Sequence, residues 1–379
     1  MKPKILIFID WYKPGFKAGG PIRSISNLVS QLNTDYEFYI VTRNTDYLET
    51  IPYSNIKSNE WNDIDNAKVF YLPSENQNKT TIKKLIQEVN PNIIYCNSLY
   101  SPKFTLTPIR IAKQLNIKTV LAVRGMLSAG SLGVKSHKKK VFLTVIKAFG
   151  LFNKTIFHAT SENENSDILR TFKNKTNIIV AQNLPEKKEL SFQEKKKEVG
   201  TLKMIFVGRV APEKNTLFAI QALTKCTQKI ELDIYGPIYS QEYFNECEKA
   251  INQLDNNIVV NYKGVLKHEL LGETLNNYHV LYLPSTGENF GHSIIEGMMY
   301  SCIPVISNKT PWQDLENKNI GFDIDLSQPN QFSETIDNLA EMDEIELNKL
   351  CKNSFNYSQS IINDNKLKEE YHKLFNTKV

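Results

Sequence analysis

The sequence is short of cysteine, of long apolar runs and, across one stretch, of negative charge. Its five cysteines (Cys96, Cys226, Cys247, Cys302, Cys351) are odd in number and scattered, with no Cys-x-x-Cys pair. That leaves no metal-ligand spacing and no disulfide framework, and it points to a reducing, cytoplasmic setting. No apolar stretch approaches the roughly 18–20 residues needed to cross a bilayer. The five apolar residues from Ile5 to Ile9 stop at Asp10, too short for a signal-peptide core and better read as a buried strand. Between Glu88 and Glu162 there is no acidic residue, whereas eleven Lys and Arg fall there.

What is present is ordinary for a globular chain: 379 residues, 41% hydrophobic, 23% charged, 16 Gly and 15 Pro. This usage excludes disordered, collagen-like and disulfide-scaffold classes, and the length suits two cores better than one. The net charge of +5 conceals a division. Residues 1–182 hold 25 Lys and Arg against 13 Asp and Glu, a balance of +12, and the remainder carries −7. The basic half is suited to an anion or an anionic surface.

Short apolar runs alternate with helix-period segments, as βαβ units require. Strands are expected at Ile5–Ile9, Phe38–Thr42, Ile93–Cys96, Thr119–Val123 and Thr155–His158, with helices at Ile22–Leu32, Lys83–Val89 and Pro108–Leu115. The pattern restarts with strands at Lys203–Val207, Ile230–Tyr235, Val259–Tyr262, Val280–Leu283 and Pro304–Ser307. Helices are expected at Pro212–Leu223, Gln241–Leu254, His268–Asn276 and Ser293–Met299, and a last one through Ile361–Leu374. The fold class is α/β, with two Rossmann-like domains facing each other across a cleft. Their expected bounds are 1–183 and 201–356, joined by a linker at 184–200 and followed by a terminal segment from 357 to 379.

Open α/β sheets bind ligands at the carboxyl ends of their strands. After the first strand, Gly19 and Gly20 open a helix, but the loop is not Gly-x-Gly-x-x-Gly and a dinucleotide dehydrogenase is unsupported. After Lys203–Val207 come Arg209 and Lys214, with Pro212 suited to a first helical turn. A cation at that place opposes the helix dipole and calls for an anion, and two such cations would neutralise a diphosphate. After Val280–Leu283 come Glu288, Asn289, Phe290, Gly291, His292, Ser293 and Glu296. Gly291, His292 and Ser293 would offer helix-start amides to phosphate, while two carboxylates eight residues apart suit the hydroxyls of a sugar and a ribose.

These residues resemble the retaining GT-B glycosyltransferases of family 4, of an Arg-Gly-Met-Leu subgroup, over nearly the whole chain. The elements that carry the likeness are Gly19, Gly20 and Arg23; Arg124 to Leu127; Thr160 to Glu164; Gly208, Arg209 and Lys214; Tyr235 to Pro237; Gly264 and Val265; Glu288 with Glu296; and Thr310 to Trp312. The resemblance implies that Arg209 and Lys214 bind the donor diphosphate, joined by Gly291, His292 and Ser293. It also implies that Glu288 holds the donor sugar, Glu296 the ribose, and Gly264 and Val265 the edge of the base. Gly20 would close over the diphosphate, and the final helix from about Tyr357 would pack back on the N-terminal domain. Many relatives carry a histidine where this chain has Arg124. Arg124 cannot act as a base; it binds diphosphate or sugar, or pairs with an acid.

No cofactor is implied, because the nucleotide-sugar, expected to be a UDP-sugar, is a substrate. No metal is implied either: Asp63-Ile64-Asp65 and Asp323-Ile324-Asp325 read as chance matches to a metal-binding Asp-x-Asp. The segment Lys135–Phe152 joins a lysine cluster to Val141, Phe142, Val145, Ile146, Phe149 and Phe152. It reads as a core-facing helix with a basic end, or as a peripheral contact with an anionic membrane. The expected acceptor is a glycan or a lipid-diphosphate-linked sugar in bacterial cell-surface polysaccharide assembly, and no nucleic acid partner is expected. Two rivals stay open: a nucleotide-sugar epimerase of the same fold, and a non-catalytic polyanion-binding protein.

Overall fold

A computed structural model describes residues 1–128, 136–173 and 177–377. The chain divides into two compact units, one of residues 1–187 with 364–379, the other of residues 188–363.

Unit 1 is built on an eight-stranded sheet. Its strands are β1 (Lys4–Phe8), β2 (Glu37–Arg43), β3 (Trp61–Ile64), β4 (Ala67–Leu72), β5 (Ile93–Cys96), β6 (Lys118–Ala122), β7 (Thr155–Ala159) and β8 (Asn177–Val180), in the order β3-β4-β2-β1-β5-β6-β7-β8. All pairs are parallel except β3 with β4. Residues Ile5 to Phe8 and all of β5 are buried, which explains why they read as unbroken apolar runs. The helices are α1 (Gly20–Leu32), α2 (Lys79–Val89), α3 (Thr107–Leu115), α4 (Ser136–Ala148) and α5 (Glu162–Phe172). Asp63 lies on the antiparallel strand β3, where it pairs with Lys68 at 3.5 Å.

Unit 2 carries a six-stranded parallel sheet in the order β11-β10-β9-β12-β13-β14. Its strands are β9 (Thr201–Val207), β10 (Lys229–Tyr235), β11 (Ile258–Gly264), β12 (Val280–Leu283), β13 (Ile303–Ser307) and β14 (Phe322–Ile324). Its helices are α6 (Thr216–Gln221), α7 (Gln241–Ile251), α8 (His268–Leu275), α9 (His292–Met299), α10 (Pro329–Glu341) and α11 (Glu344–Ile362). The chain winds outward from β9 through β10 to β11, then returns to lay β12 on the other side of β9. The strand order therefore reverses between β9 and β12, the place where doubly wound sheets open a crevice.

Two expectations, of a helix at Pro212–Leu223 and of a terminal segment from Tyr357, need correction, and the linker gains detail. The helix expected over Pro212–Leu223 is broken: a 3-10 turn at Pro212–Lys214 ends at Asn215, whose φ of 60° stops it before α6. The Lys/Glu-rich stretch 184–200 has no regular structure, yet it is packed rather than loose. Asn27 Nδ2 donates to the Leu184 carbonyl and Gln31 Nε2 to the Pro185 carbonyl within unit 1. Farther on, Lys195 is buried in unit 2 and its ammonium caps the last carbonyls of α8, Leu275 at 3.1 Å and Asn276 at 3.1 Å. Finally, Tyr357 belongs to α11 of unit 2, which starts with a capping box from Asp343 and Glu346.

The terminal helix α12 (Lys366–Asn376) is part of unit 1. Lys118 Nζ donates to the Phe375 carbonyl at 2.7 Å, the Tyr36 hydroxyl meets His372 Nδ1 at 3.0 Å, and Tyr371 packs edge-on against the His158 ring. Among the described residues, no helix is long and apolar enough to cross a membrane.

Candidate functional site

In unit 2 the loops after β9 and β12 are sewn together. The Thr286 amide and hydroxyl both donate to the Glu213 carbonyl, each at 3.1 Å, and Asn215 Nδ2 donates to the Pro284 carbonyl at 2.9 Å. Gly236 lets the end of β10 join them: a Cβ there would stand 1.8 Å from the Gly208 carbonyl oxygen. Only glycine fits so close an approach.

This frame brings Lys214 and Glu288, 74 residues apart in sequence, to 2.5 Å. Their side chains are 20% and 9% exposed, so the pair is largely withdrawn from water. Arg209 bonds Glu213 at 2.8 Å and lies over the Tyr239 ring at 5.9 Å. Each cation thus already has a carboxylate, and Lys214 ends a 3-10 turn rather than opening an α-helix. Asn215 breaks the helix after Lys214 and caps the start of α6, so the ammonium still stands at a helix N-terminus, and Glu288 supplies the negative charge that this place calls for.

Helix α9 begins at His292 after Gly291, whose φ is 78° and which offers no side-chain cap. A side chain at Gly291 would be strained and would meet Ile294 Cδ1 at 2.8 Å. Phe290 is clamped from behind: Trp312 Nε1 donates to its carbonyl at 2.6 Å, and its ring contacts those of Trp312 and His292. Asn289 and Ser293 are half-buried, while Glu296 is buried one turn into α9. Gly264 ends β11 with open space around it and its carbonyl accepts from the Gly236 amide at 2.8 Å; Val265 beside it is exposed. Gly19 and Gly20 lie in unit 1, at the N-cap and first residue of α1.

Arg124 also lies in unit 1, at a φ of 54° just after β6. Its guanidinium is held by two amides and a phenol rather than by an acid. Nε donates to Asn97 Oδ1 at 2.6 Å, Nη2 to the Tyr95 hydroxyl at 2.8 Å, and Nη1 to Asn183 Oδ1. The adjacent Gly125 amide donates to Glu164, which also accepts from the Thr160 amide and hydroxyl. His158 Nε2 is 2.7 Å from the Ala181 carbonyl, which can only accept, so Nδ1 is the bare nitrogen and receives the Tyr95 hydroxyl at 2.8 Å. Burial, with Arg124 nearby, pushes the His158 imidazole down to about 3. The ends of β5, β6, β7 and β8 therefore share one neutral-histidine network.

Sequence reasoning missed Glu213, Tyr239 and Thr286 in unit 2, and Tyr95, Asn97, His158 and Asn183 in unit 1. Strand-end position was the available signal for Tyr95, Asn97 and His158; the others follow only from the register of neighbouring loops. The Asp-x-Asp pairs hold structure together. Asp323 accepts from the Asp314 and Leu315 amides, and the Ser327 amide helps hold the Asp325 carboxyl down to about 2. Among the described residues, no cluster of three metal-ligating side chains occurs.

The two Rossmann-like units make this a GT-B fold. Structures similar over nearly the whole chain are GT-B glycosyltransferases. HepE of Anabaena, solved with UDP and glucose, has a TM-score of 0.71 at 16% identity, covering 98% of this chain and 99% of that one. Sucrose-phosphate synthase from Thermosynechococcus elongatus has a TM-score of 0.67 at 15% identity, covering 99% and 98%. The pneumococcal O-GlcNAc transferase GtfA, in complex with UDP and GlcNAc, has a TM-score of 0.64 at 11% identity, again covering 99% and 98%. The family model described as "Glycosyl transferases group 1" matches residues 187–357, a span that includes Arg209, Lys214, Gly264, Glu288 and Glu296. No curated protein sequence matches the chain.

Proposed function

We propose that this protein is a glycosyltransferase that moves a sugar from a nucleoside-diphosphate donor, a UDP-sugar, to a hydroxyl of a glycan or lipid-linked acceptor. The observation that carries this reading is the Lys214–Glu288 pair at the β9/β12 reversal, beside the uncapped start of α9 and within the matched segment. In the proposed reaction the acceptor oxygen bonds to the anomeric carbon as the bond from that carbon to the diphosphate breaks, and the hydroxyl's proton passes to the departing phosphate oxygen. Negative charge then grows on the departing phosphate. Arg209, Lys214 and the first amides of α9 stabilise it, a role that fixed cations and amides perform strongly in a preorganised site. Glu288 accepts from hydroxyls of the donor sugar while it orients Lys214, and Glu296 takes the ribose. Gly264 and Val265 border the base.

Because cations occupy the phosphate side, we expect no metal requirement. We also expect retained anomeric configuration and no covalent nucleophile; the Glu pair is not arranged as in glycoside hydrolases. Cell-surface polysaccharide assembly in a bacterium is the proposed context. The test is a panel of nucleotide-sugars scored for nucleotide release, with and without chelator and acceptor. UDP release that ignores chelator is the expected result, with Lys214→Ala and Glu288→Ala each lowering kcat/KM by about 100-fold or more. Metal dependence, or full activity in both variants, overturns the site assignment. Conversion of donor without acceptor identifies an epimerase instead.

A further inference from the structure

Helix α4 buries only part of its apolar stripe. Leu143 and Ile146 pack into the core of unit 1, as a core-facing helix requires. Val141, Val145 and Phe149 do not: they are 64%, 44% and 79% exposed. Spaced by four residues, they form a ridge along the outer side of the helix and its final turn. Lys135, the first lysine of the basic cluster, lies outside the described residues, and the ridge does not involve it.

Beside the ridge is a cavity of about 500 Å³, with Val145 and Phe149 on one wall. Lys79 at the start of α2, and Arg110 and Lys113 on α3, also line it, beside Thr107 and Gln114. Arg110 and Lys113 are three residues apart and so share a face. Neither α3 nor α4 contains a carboxylate, since none occurs between Glu88 and Glu162. Glu88, at the far end of α2, already accepts from Trp61 Nε1 at 2.8 Å. An apolar ridge and a basic pocket thus adjoin, and the two helices α3 and α4 add no negative charge to either.

We propose that this face docks on an anionic lipid surface, the ridge entering the acyl boundary and the Lys79, Arg110 and Lys113 pocket receiving a lipid phosphate. An amphipathic helix with apolar residues on one side and cations at its flank binds membranes through both terms together. Nucleic acid would use the cations but leave the ridge in water. The docking needs no sugar donor, so it stands or falls separately from the transfer reaction.

The test uses the full chain and vesicles of phosphatidylcholine with or without phosphatidylglycerol. Flotation with the anionic vesicles alone is expected at low salt. The double variant Val145→Asp with Phe149→Asp, and separately Arg110→Glu with Lys113→Glu, should each lower the partition coefficient about tenfold or more. Phe149→Trp supplies a signal independent of those variants' folding: its emission should shift to the blue when anionic vesicles are added. No flotation, flotation indifferent to the ridge variants, or an unshifted indole emission from bound Phe149→Trp protein overturns the proposal. So does salt-sensitive binding to duplex DNA in place of vesicles.

Discussion

At the residue scale, the cations of unit 2 change meaning once their partners are visible. Arg209 and Lys214 look in sequence like charges waiting for phosphate. In the fold Glu213 and Glu288 hold them. A mostly buried pair of this kind is costly to break from one side, because the survivor is left charged and desolvated. Lys214→Ala or Glu288→Ala should therefore destabilise unit 2 by about 3 kcal/mol in urea unfolding. The double variant Lys214→Ala with Glu288→Ala should cost less than the sum of the two. An additive cycle would show that the two side chains do not interact in solution. Combined with loss of turnover in all three variants, the cycle separates what the pair does for folding from what it does for substrate.

At the scale of elements, each unit ties its strands with a buried neutral histidine. His158 on β7 bridges Tyr95 and the Ala181 carbonyl. His279, before β12, receives the Lys203 amide of β9 on Nδ1 at 3.1 Å and approaches the Lys196 carbonyl with Nε2 at 2.8 Å. Burial depresses their values to about 3 and about 4. Because the folded values lie below the unfolded one of about 6.5, the unfolded chain takes up the protons first as pH falls. Stability from these groups is complete above roughly pH 6.5 and declines toward the folded values; at pH 5 each should have lost about 2 kcal/mol. Urea midpoints at pH 7 and pH 5 check this. His158→Gln and His279→Gln should be less stable at pH 7 but lose less between the two pH values. A wild-type midpoint unchanged between pH 7 and 5 would contradict the assignment.

At the scale of the molecule, unit 1 is discontinuous, and α12 completes it. Tyr371, Leu374 and Phe375 are almost fully buried there. Ending the chain after Asn363 should raise amide exchange across β5 to β8, which lie near Tyr95, Lys118 and His158, while β9 to β14 keep their protection. Uniform loss of protection in both units would show instead that the helix stabilises the chain as a whole. The charge division also acquires a location. The acid-free stretch falls within unit 1, so the basic surplus is gathered on one unit rather than spread over the chain.

Much of the fold was legible because parallel strands are buried on both faces and read as short apolar runs. Ile5–Ile9, Ile93–Cys96 and Val280–Leu283 needed nothing more. Helix bounds were less so: Asn215 stops a helix that propensity would continue, through a left-handed residue and a side-chain bond to Pro284. The motif residues Arg209, Lys214, Glu288 and Gly291 were legible from strand ends followed by glycine, charge and amide donors. By itself the sequence determined the two α/β series, the strand ends that carry charge and the absence of carboxylates around α4, because these depend on local periodicity and composition. Tertiary structure alone decided that β12 lies against β9, that Lys214 meets Glu288, and that Val141, Val145 and Phe149 face water. Those facts depend on which strand pairs with which and on how a helix is rotated in its seat, and contacts between residues far apart in sequence set both.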